Sequence, residues 1–367
     1  MINRKAIGYI TANYSSRAKS ALTEVRPLAA LPFLGRYRLI DFPLSNMMNA
    51  DIKTVGVVLP TDYRALTDHL GQGEEWNLAR KSGGLFLMPG SAYGTTKLGV
   101  RFLMRDIIAN KALFERADEP YVVMTSSHII YNADLNHIIK AHEEMGAGIT
   151  MVYVNAERNQ EDCYRLTIND QGRVTAIDTG ACVGDNKFIE LFVINRELLL
   201  ELCTTYANVD YLDLFEAIEY SRVEVGSYCF KGLASGMFDK ATYYARTMEM
   251  REPGPMDTLF PDERPVMTKA HDAPPAKYAA GSSVVNSFIS SGDRIFGTVK
   301  GSVLSRNVIV ETGAVVEDSI IMQGVTVKAG AVVKCAIVDK GNTVEPGVQI
   351  CGTPENVLVI PKAGIGA

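Results

Sequence analysis

The 367-residue chain has a single tryptophan, only six cysteines, almost no excess of either charge and no long apolar run. Each shortage excludes something. The cysteines, Cys163, Cys182, Cys203, Cys229, Cys335 and Cys351, are widely scattered and include no Cys-x-x-Cys pair. That argues against a zinc site or a disulfide framework and for reduced thiols. A net charge of -5 supplies no basic field for nucleic acid. No apolar stretch reaches membrane-spanning length, and MINRKAIGYI at the start lacks a signal-peptide core and cleavage site. A cytoplasmic protein with no nucleic-acid or membrane partner is expected. His128, His137 and His142 do not make a metal cluster, because His137 and His142 miss the i, i+4 spacing of a helical ligand pair.

What is present is strongly patterned, and the length allows two domains with a sizeable core. Ala6–Thr11 is a short apolar strand. The stretch 29–60, AALPFLGRYRLIDFPLSNMMNADIKTVGVVLP, holds a basic segment (Arg36, Arg38), the apolar pair Leu39 and Ile40, then Asp41 and Pro43. Ser45 reads as the N-cap of a short helix through Met47 and Met48, ended by Asn49 to Asp51. Val55–Leu59, stopped by Pro60, reads as a buried parallel strand. This is a turn, helix and strand of an α/β sheet.

Further along, Thr61–Arg80 reads as helical, Gly83-Gly84 and Met88-Pro89-Gly90 as loop, and Leu98–Asn110 as a helix with apolar residues at helical spacing. Tyr121–Met124 is a buried strand, Asp134 the cap of a helix over Leu135–Met145, and Ile149–Val154 a strand. Tyr164–Ile177 alternates like a hairpin turning at Asn169-Asp170-Gln171-Gly172. Phe188–Ile194 is a strand, Arg196–Cys203 a helix, and Asp239 caps a helix over Thr242–Met250.

The composition then shifts. Pro253–Pro275 is rich in proline and acidic residues, too broken for regular structure. Beyond it a period of six appears. Val303, Ile309, Val315, Ile321, Val327 and Val333 form one apolar row; Val308, Ala314, Ile320, Thr326, Val332, Val338, Val344 and Ile350 form another. Gly324 with Gly330, and Gly341 with Gly347, supply turns at the same step. A hexapeptide repeat of this kind reads as a β-helix with inward aliphatic stacks. The expected domains are therefore 1–252, a linker 253–280, and 281–367.

LPFLGRYRLIDFPLSN resembles the segment that follows the nucleotide-binding loop in ADP-glucose pyrophosphorylases (glucose-1-phosphate adenylyltransferases), and the resemblance extends over nearly the whole chain. It implies an α/β fold: a nucleotidyltransferase-like (Rossmann-like) mixed-sheet domain followed by a left-handed parallel β-helix of hexapeptide repeats. In that family the loop after the first strand is glycine-rich, because phosphates need close approach to backbone N–H groups. Here the glycine positions fall at Asn13, Tyr14 and Ser16, and the lysine position at Leu28. Arg17 stands one place out of register, and Arg26 occupies another arginine position. Gly94 and Thr95 match the family's motif near the base and sugar, but its aspartate is Lys97. The two Mg²⁺ carboxylates fall at Ser127 and Gly236, and the glutamate-lysine-proline that grips the sugar phosphate reads Thr179, Gly180 and Ala181.

The resemblance is closest to the D-type regulatory subunits of bacterial glycogen synthesis. It implies no catalytic residue and no metal in this chain, with Mg²⁺ held by a catalytic glucose-1-phosphate adenylyltransferase partner in a heterotetramer, and a homo-oligomer when alone. Arg17, Gly94 and Thr95 would be remnants of the substrate pocket. Arg26, Arg36 and Arg38 lie where relatives bind small anionic effectors, so a sugar-phosphate sensor is one alternative. The other is a working adenylyltransferase that recruits substitutes such as Asp239 and Arg17.

Overall fold

The computed structural model describes residues 6–13, 21–91 and 101–363. In chain order the first part runs β1 (Ala6–Thr11), β2 (Pro32–Phe33), β3 (Tyr37–Arg38), α1 (Asp41–Asn49), β4 (Thr54–Leu59), α2 (Arg64–Leu70), β5 (Gly84–Pro89), α3 (Met104–Ala109), α4 (Ala112–Glu115), β6 (Tyr121–Ser126) and β7 (Ile129–Tyr131). It continues with α5 (Leu135–Met145), β8 (Ile149–Asn155), β9 (Gln160–Ile168), β10 (Val174–Ala181), β11 (Asn186–Asn195), α6 (Arg196–Thr205), α7 (Leu214–Tyr220), β12 (Val225–Cys229), β13 (Ala234–Gly236), α8 (Lys240–Glu249) and α9 (Pro253–Leu259).

Nine of these strands form one mixed sheet in the order β10-β9-β11-β6-β1-β4-β5, with β8 on β11 and β12 on β8. β1 is parallel to both β4 and β6, whereas β11 runs antiparallel to β6. β1 leads first to β4 and β5 on one side, and the chain then returns to β6 on the other. Doubly wound sheets open their ligand crevice at such a reversal, beyond the carboxyl ends of the strands. All six residues of β1 are buried, as a central strand covered on both faces requires.

Several expected elements shift. α1 starts at Asp41, so Ser45 lies inside it, buried, with its hydroxyl accepting from the Met267 amide at 2.8 Å. Pro43 is tolerated because it stands in the first helical turn, where a backbone N–H has no intrahelical acceptor to lose. The stretch after Thr61 is helical only over α2 and a 3₁₀ turn at Glu74–Trp76, since Gly71 and Gly73 adopt left-handed φ of 52° and 76°. Met88 and Pro89 belong to β5, an edge strand, where a proline costs no ladder bond. Asp134 and Asp239 cap α5 and α8 as expected.

Pro253–Pro275 contains α9, whose Leu259 is buried in the core between the two halves of the molecule. The remainder is three parallel sheets of five, five and four strands. Val299, Val316, Val333 and Ile350 stack in register, as do Leu304, Ile321 and Val338. The coil is therefore 17 residues, and a strict step of six slips by one each turn. Ile309 and Val315, placed inward by that step, are half-buried instead. The short corner is where Gly301, Asp318 and Cys335 take left-handed φ of 54°, 43° and 44°. The third face turns Ile320 and Ile337 onto the α/β domain, against Leu31, Phe33, Leu39 and Met248.

Candidate functional site

At the carboxyl end of β6 the chain reads Ser126-Ser127-His128, all buried. β7 and β13 then pair as a ribbon with Gly236 opposite Ile129, and the Met237 amide donates to the His128 carbonyl at 3.0 Å. The fold thus brings the two expected metal positions, Ser127 and Gly236, to one place. Asp239 is spent elsewhere, accepting from the Thr242 amide at 2.7 Å in a capping box with Thr242. Among the described residues no group of three or more His, Cys, Asp or Glu side chains could hold a metal ion. A neutral hydroxyl and a glycine do not fit Mg²⁺, which takes hard carboxylate oxygens.

A different carboxylate enters this place. Glu190 on β11 is 1% exposed and stands at a register shift between Phe188 and Leu191, with φ of 54°. An L-residue held there costs about 1–3 kcal/mol. Its Oε1 accepts from Arg101 Nε at 3.1 Å, and Oε2 lies 3.6 Å from His128 Nε2. Burial opposes ionisation, but His128, Arg101 and a Ser126 hydroxyl overcome it and hold the carboxyl down at about 2. The Phe238 ring packs against both partners, 5.0 Å from the His128 ring and 5.9 Å from the Arg101 guanidinium carbon. The Arg101 amide in turn donates to Asp213 at 2.9 Å.

On the other side, the residue that leaves β1 is held in place. Asn13, at an expected glycine position, is buried, and its amide donates to the Ser91 carbonyl at 2.9 Å and Asp106 at 2.6 Å. Gly90 packs so tightly on Asn13 that a Cβ would lie 2.3 Å from its side chain. Arg17, Gly94 and Thr95 lie outside the described residues. Beside the β7–β13 ribbon lies a cavity of about 620 Å³ lined by Lys187, Lys231, Arg158, Arg246, Ser235 and Gly236, among others. Glu249 bridges the two arginines, 2.9 Å from Arg158 and 2.5 Å from Arg246. Thr179, Gly180 and Ala181 do not line it; the cation reaching it from the sheet is Lys187 of β11.

The three expected effector arginines separate in role. Arg26 is buried in an ion pair with Asp339 of the β-helix. Arg36 is exposed, its guanidinium 5.3 Å from the Tyr37 ring centre, and its carbonyl accepts from Arg306 at 3.2 Å. Arg38 is half-buried and donates to the Ala65 carbonyl at 2.5 Å. The β-helix adds Lys340, whose ammonium is pushed down to about 8 by burial and by Arg38 and Arg26. Arg306 is lowered by burial and by Arg36. Sequence reading missed Glu190, Arg101, Lys340 and Arg306. The glutamate and lysine carried no local signal, since an apolar strand and a β-helix corner both tolerate a charge in sequence.

Two family models match. A nucleotidyl transferase model covers residues 20–178, and a GlmU-like C-terminal hexapeptide model covers residues 274–356. The chain is 33% identical over 364 residues to the glycogen biosynthesis protein GlgD of Bacillus subtilis, covering 99% of this chain and 97% of that one. It is 33% identical to the Geobacillus stearothermophilus protein of the same name, over 86% of this chain and 84% of the relative. To the glucose-1-phosphate adenylyltransferase of Pseudothermotoga lettingae it is 28% identical, over 85% and 76%.

Proposed function

We propose, on the premise that this chain belongs to the glucose-1-phosphate adenylyltransferase family together with GlgD, that it serves glycogen biosynthesis as a subunit that does not itself transfer the adenylyl group. It assembles in the cytoplasm with a catalytic glucose-1-phosphate adenylyltransferase, as a heterotetramer, and raises or modulates that partner's ADP-glucose synthesis. The Mg²⁺ ion belongs to the partner. One observation carries this reading: the two metal positions are Ser127 and Gly236, and the carboxylate beside them in the chain's fold, Glu190 next to His128, is engaged by Arg101 and His128. A phosphoryl transfer needs metal and cations to gather charge on the reacting phosphates, and here the charges of the place are already paired.

The test is ADP-glucose formation from ATP and glucose 1-phosphate with Mg²⁺, by this chain alone and mixed with the catalytic relative from its host. Silence alone and a raised rate in the mixture are expected. Substantial turnover by the isolated chain would overturn the proposal and favour a working enzyme with substitute ligands.

A second reading has its own support. Arg36, Arg38, Arg306 and Lys340 crowd the junction between the domains, and burial with mutual repulsion lowers Arg38, Arg306 and Lys340. A phosphorylated metabolite bound there would relieve the repulsion and bias how the domains present themselves to a partner. The chain would then act as the effector sensor of the assembly.

A further inference from the structure

The pairing around Glu190 has the form of an occupied ligand site. A guanidinium and an imidazole, 3% and 0% exposed, converge on one point at the carboxyl end of a central strand. That is where an open α/β sheet receives a charged ligand. The anion held there is planar, carries two oxygens and meets a buried arginine, as a bound oxyanion would. It belongs to the chain itself, on a residue whose backbone φ of 54° favours glycine. The backbone strain and the buried charge both trace to this one side chain. A purely structural ion pair could sit on unstrained backbone.

We propose that Arg101 and His128, braced by Phe238, form a buried phosphoryl-oxyanion site that the chain keeps filled with its own Glu190 carboxylate. The tethered carboxylate excludes a free phosphoryl group because it is present at high effective concentration and cannot leave. The site is therefore cryptic, and it opens when the side chain is removed. It lies in the cleft of the proposed function but does not depend on a partner. It is read on the isolated chain, while the regulatory role is read in the mixture.

The test compares thermal unfolding of the wild-type chain, Glu190→Gly, and Glu190→Gly with Arg101→Met, each titrated with inorganic phosphate or pyrophosphate against KCl of equal ionic strength. Any binding at the cationic junction between the domains is common to all three and cancels. Glu190→Gly should gain a midpoint rise of about 3 °C near ten times the dissociation constant. The wild type should lack that gain, and Arg101→Met should remove it. A larger gain with pyrophosphate than with phosphate would assign the site to a diphosphate group, and the reverse to a single phosphoryl. Equal shifts in the wild type and Glu190→Gly, or a gain that survives Arg101→Met, would overturn the proposal. Failure of Glu190→Gly to fold even in phosphate would overturn it too, because glycine suits that backbone and the oxyanion would restore the charge.

Discussion

Lys340 shows at the scale of one residue how neighbours set charge. Its ammonium sits at about 8 against an ordinary 10.5, through burial first and then Arg38 and Arg26. The sign follows from linkage. The folded chain sheds this proton before the unfolded chain does, so the residue's contribution to stability rises with pH between about 8 and 10.5. Below 8 the charge is carried at a cost that a bound anion would offset. An anion bound at this junction should therefore take up a proton near pH 8 and weaken as pH rises through it. Calorimetric titration of inorganic phosphate or pyrophosphate at pH 7 and pH 9 should give at least a several-fold weaker constant at pH 9, and Lys340→Met should flatten that dependence. A pH-independent constant would remove Lys340 from the site. Arg26, read from sequence as part of the same cluster, is instead committed to Asp339.

The β-helix illustrates the scale of an element. Its repeat was visible because aliphatic residues recur near every sixth position, but its coil of 17 residues was not. Only backbone torsions distinguish a corner of five residues from one of six, and neither Asp318 nor Cys335 is the glycine that would mark a left-handed corner in sequence. Within the same element Asp293 is buried, accepts from the Ser290 and Val308 amides at 2.9 and 2.8 Å, and is nonetheless pushed up to about 7 by burial. A raised carboxyl stays protonated in the folded chain where the unfolded chain has already ionised, so its contribution falls as pH rises from about 4 to 7. Chemical denaturation of the wild type should show less stability at pH 7.5 than at pH 5.5, and Asp293→Asn should reduce that slope. An unchanged slope in Asp293→Asn would show that another group carries it.

At the scale of the whole molecule, the run LPFLGRYRLIDFPLSN acts as a joint between parts. Asp41 accepts from the Arg38 amide at 2.9 Å and meets His69 at 2.5 Å. Asn46 donates to the Tyr131 carbonyl at 3.0 Å and accepts from the Ala133 amide at 2.9 Å. Gly35, at φ of 77°, packs where a Cβ would lie 2.8 Å from the Leu304 carbonyl of the β-helix. The Arg26–Asp339 pair closes the same joint from inside, 4% and 0% exposed. Removing one partner of a buried pair strands the other charge, so Asp339→Ala should cost about 3–5 kcal/mol in urea unfolding. The double change Arg26→Met with Asp339→Leu should recover most of it. A double variant no better than the single would place the cost in packing. Because the joint packs the β-helix against the α/β domain through a shared core and a buried ion pair, a change at one can alter the surface the other presents.

The sequence by itself determined the family, the strands β1, β4, β6, β8 and β11 and the helices α5, α6 and α8 of the α/β half, the caps at Asp134 and Asp239, and the repeat beyond residue 280. These are legible because periodicity, caps and turns depend on residues a few positions apart, whose spacing the chain displays directly. It also displayed which charged groups were missing at Ser127, Gly236 and Leu28. Only the tertiary structure decided what replaced them. Glu190 meets Arg101 and His128 across 89 and 62 positions of chain, and Arg26 meets Asp339 across 313. Such pairs depend on how the strands register and the domains dock, and the burial that gives them their strength exists only in the folded chain.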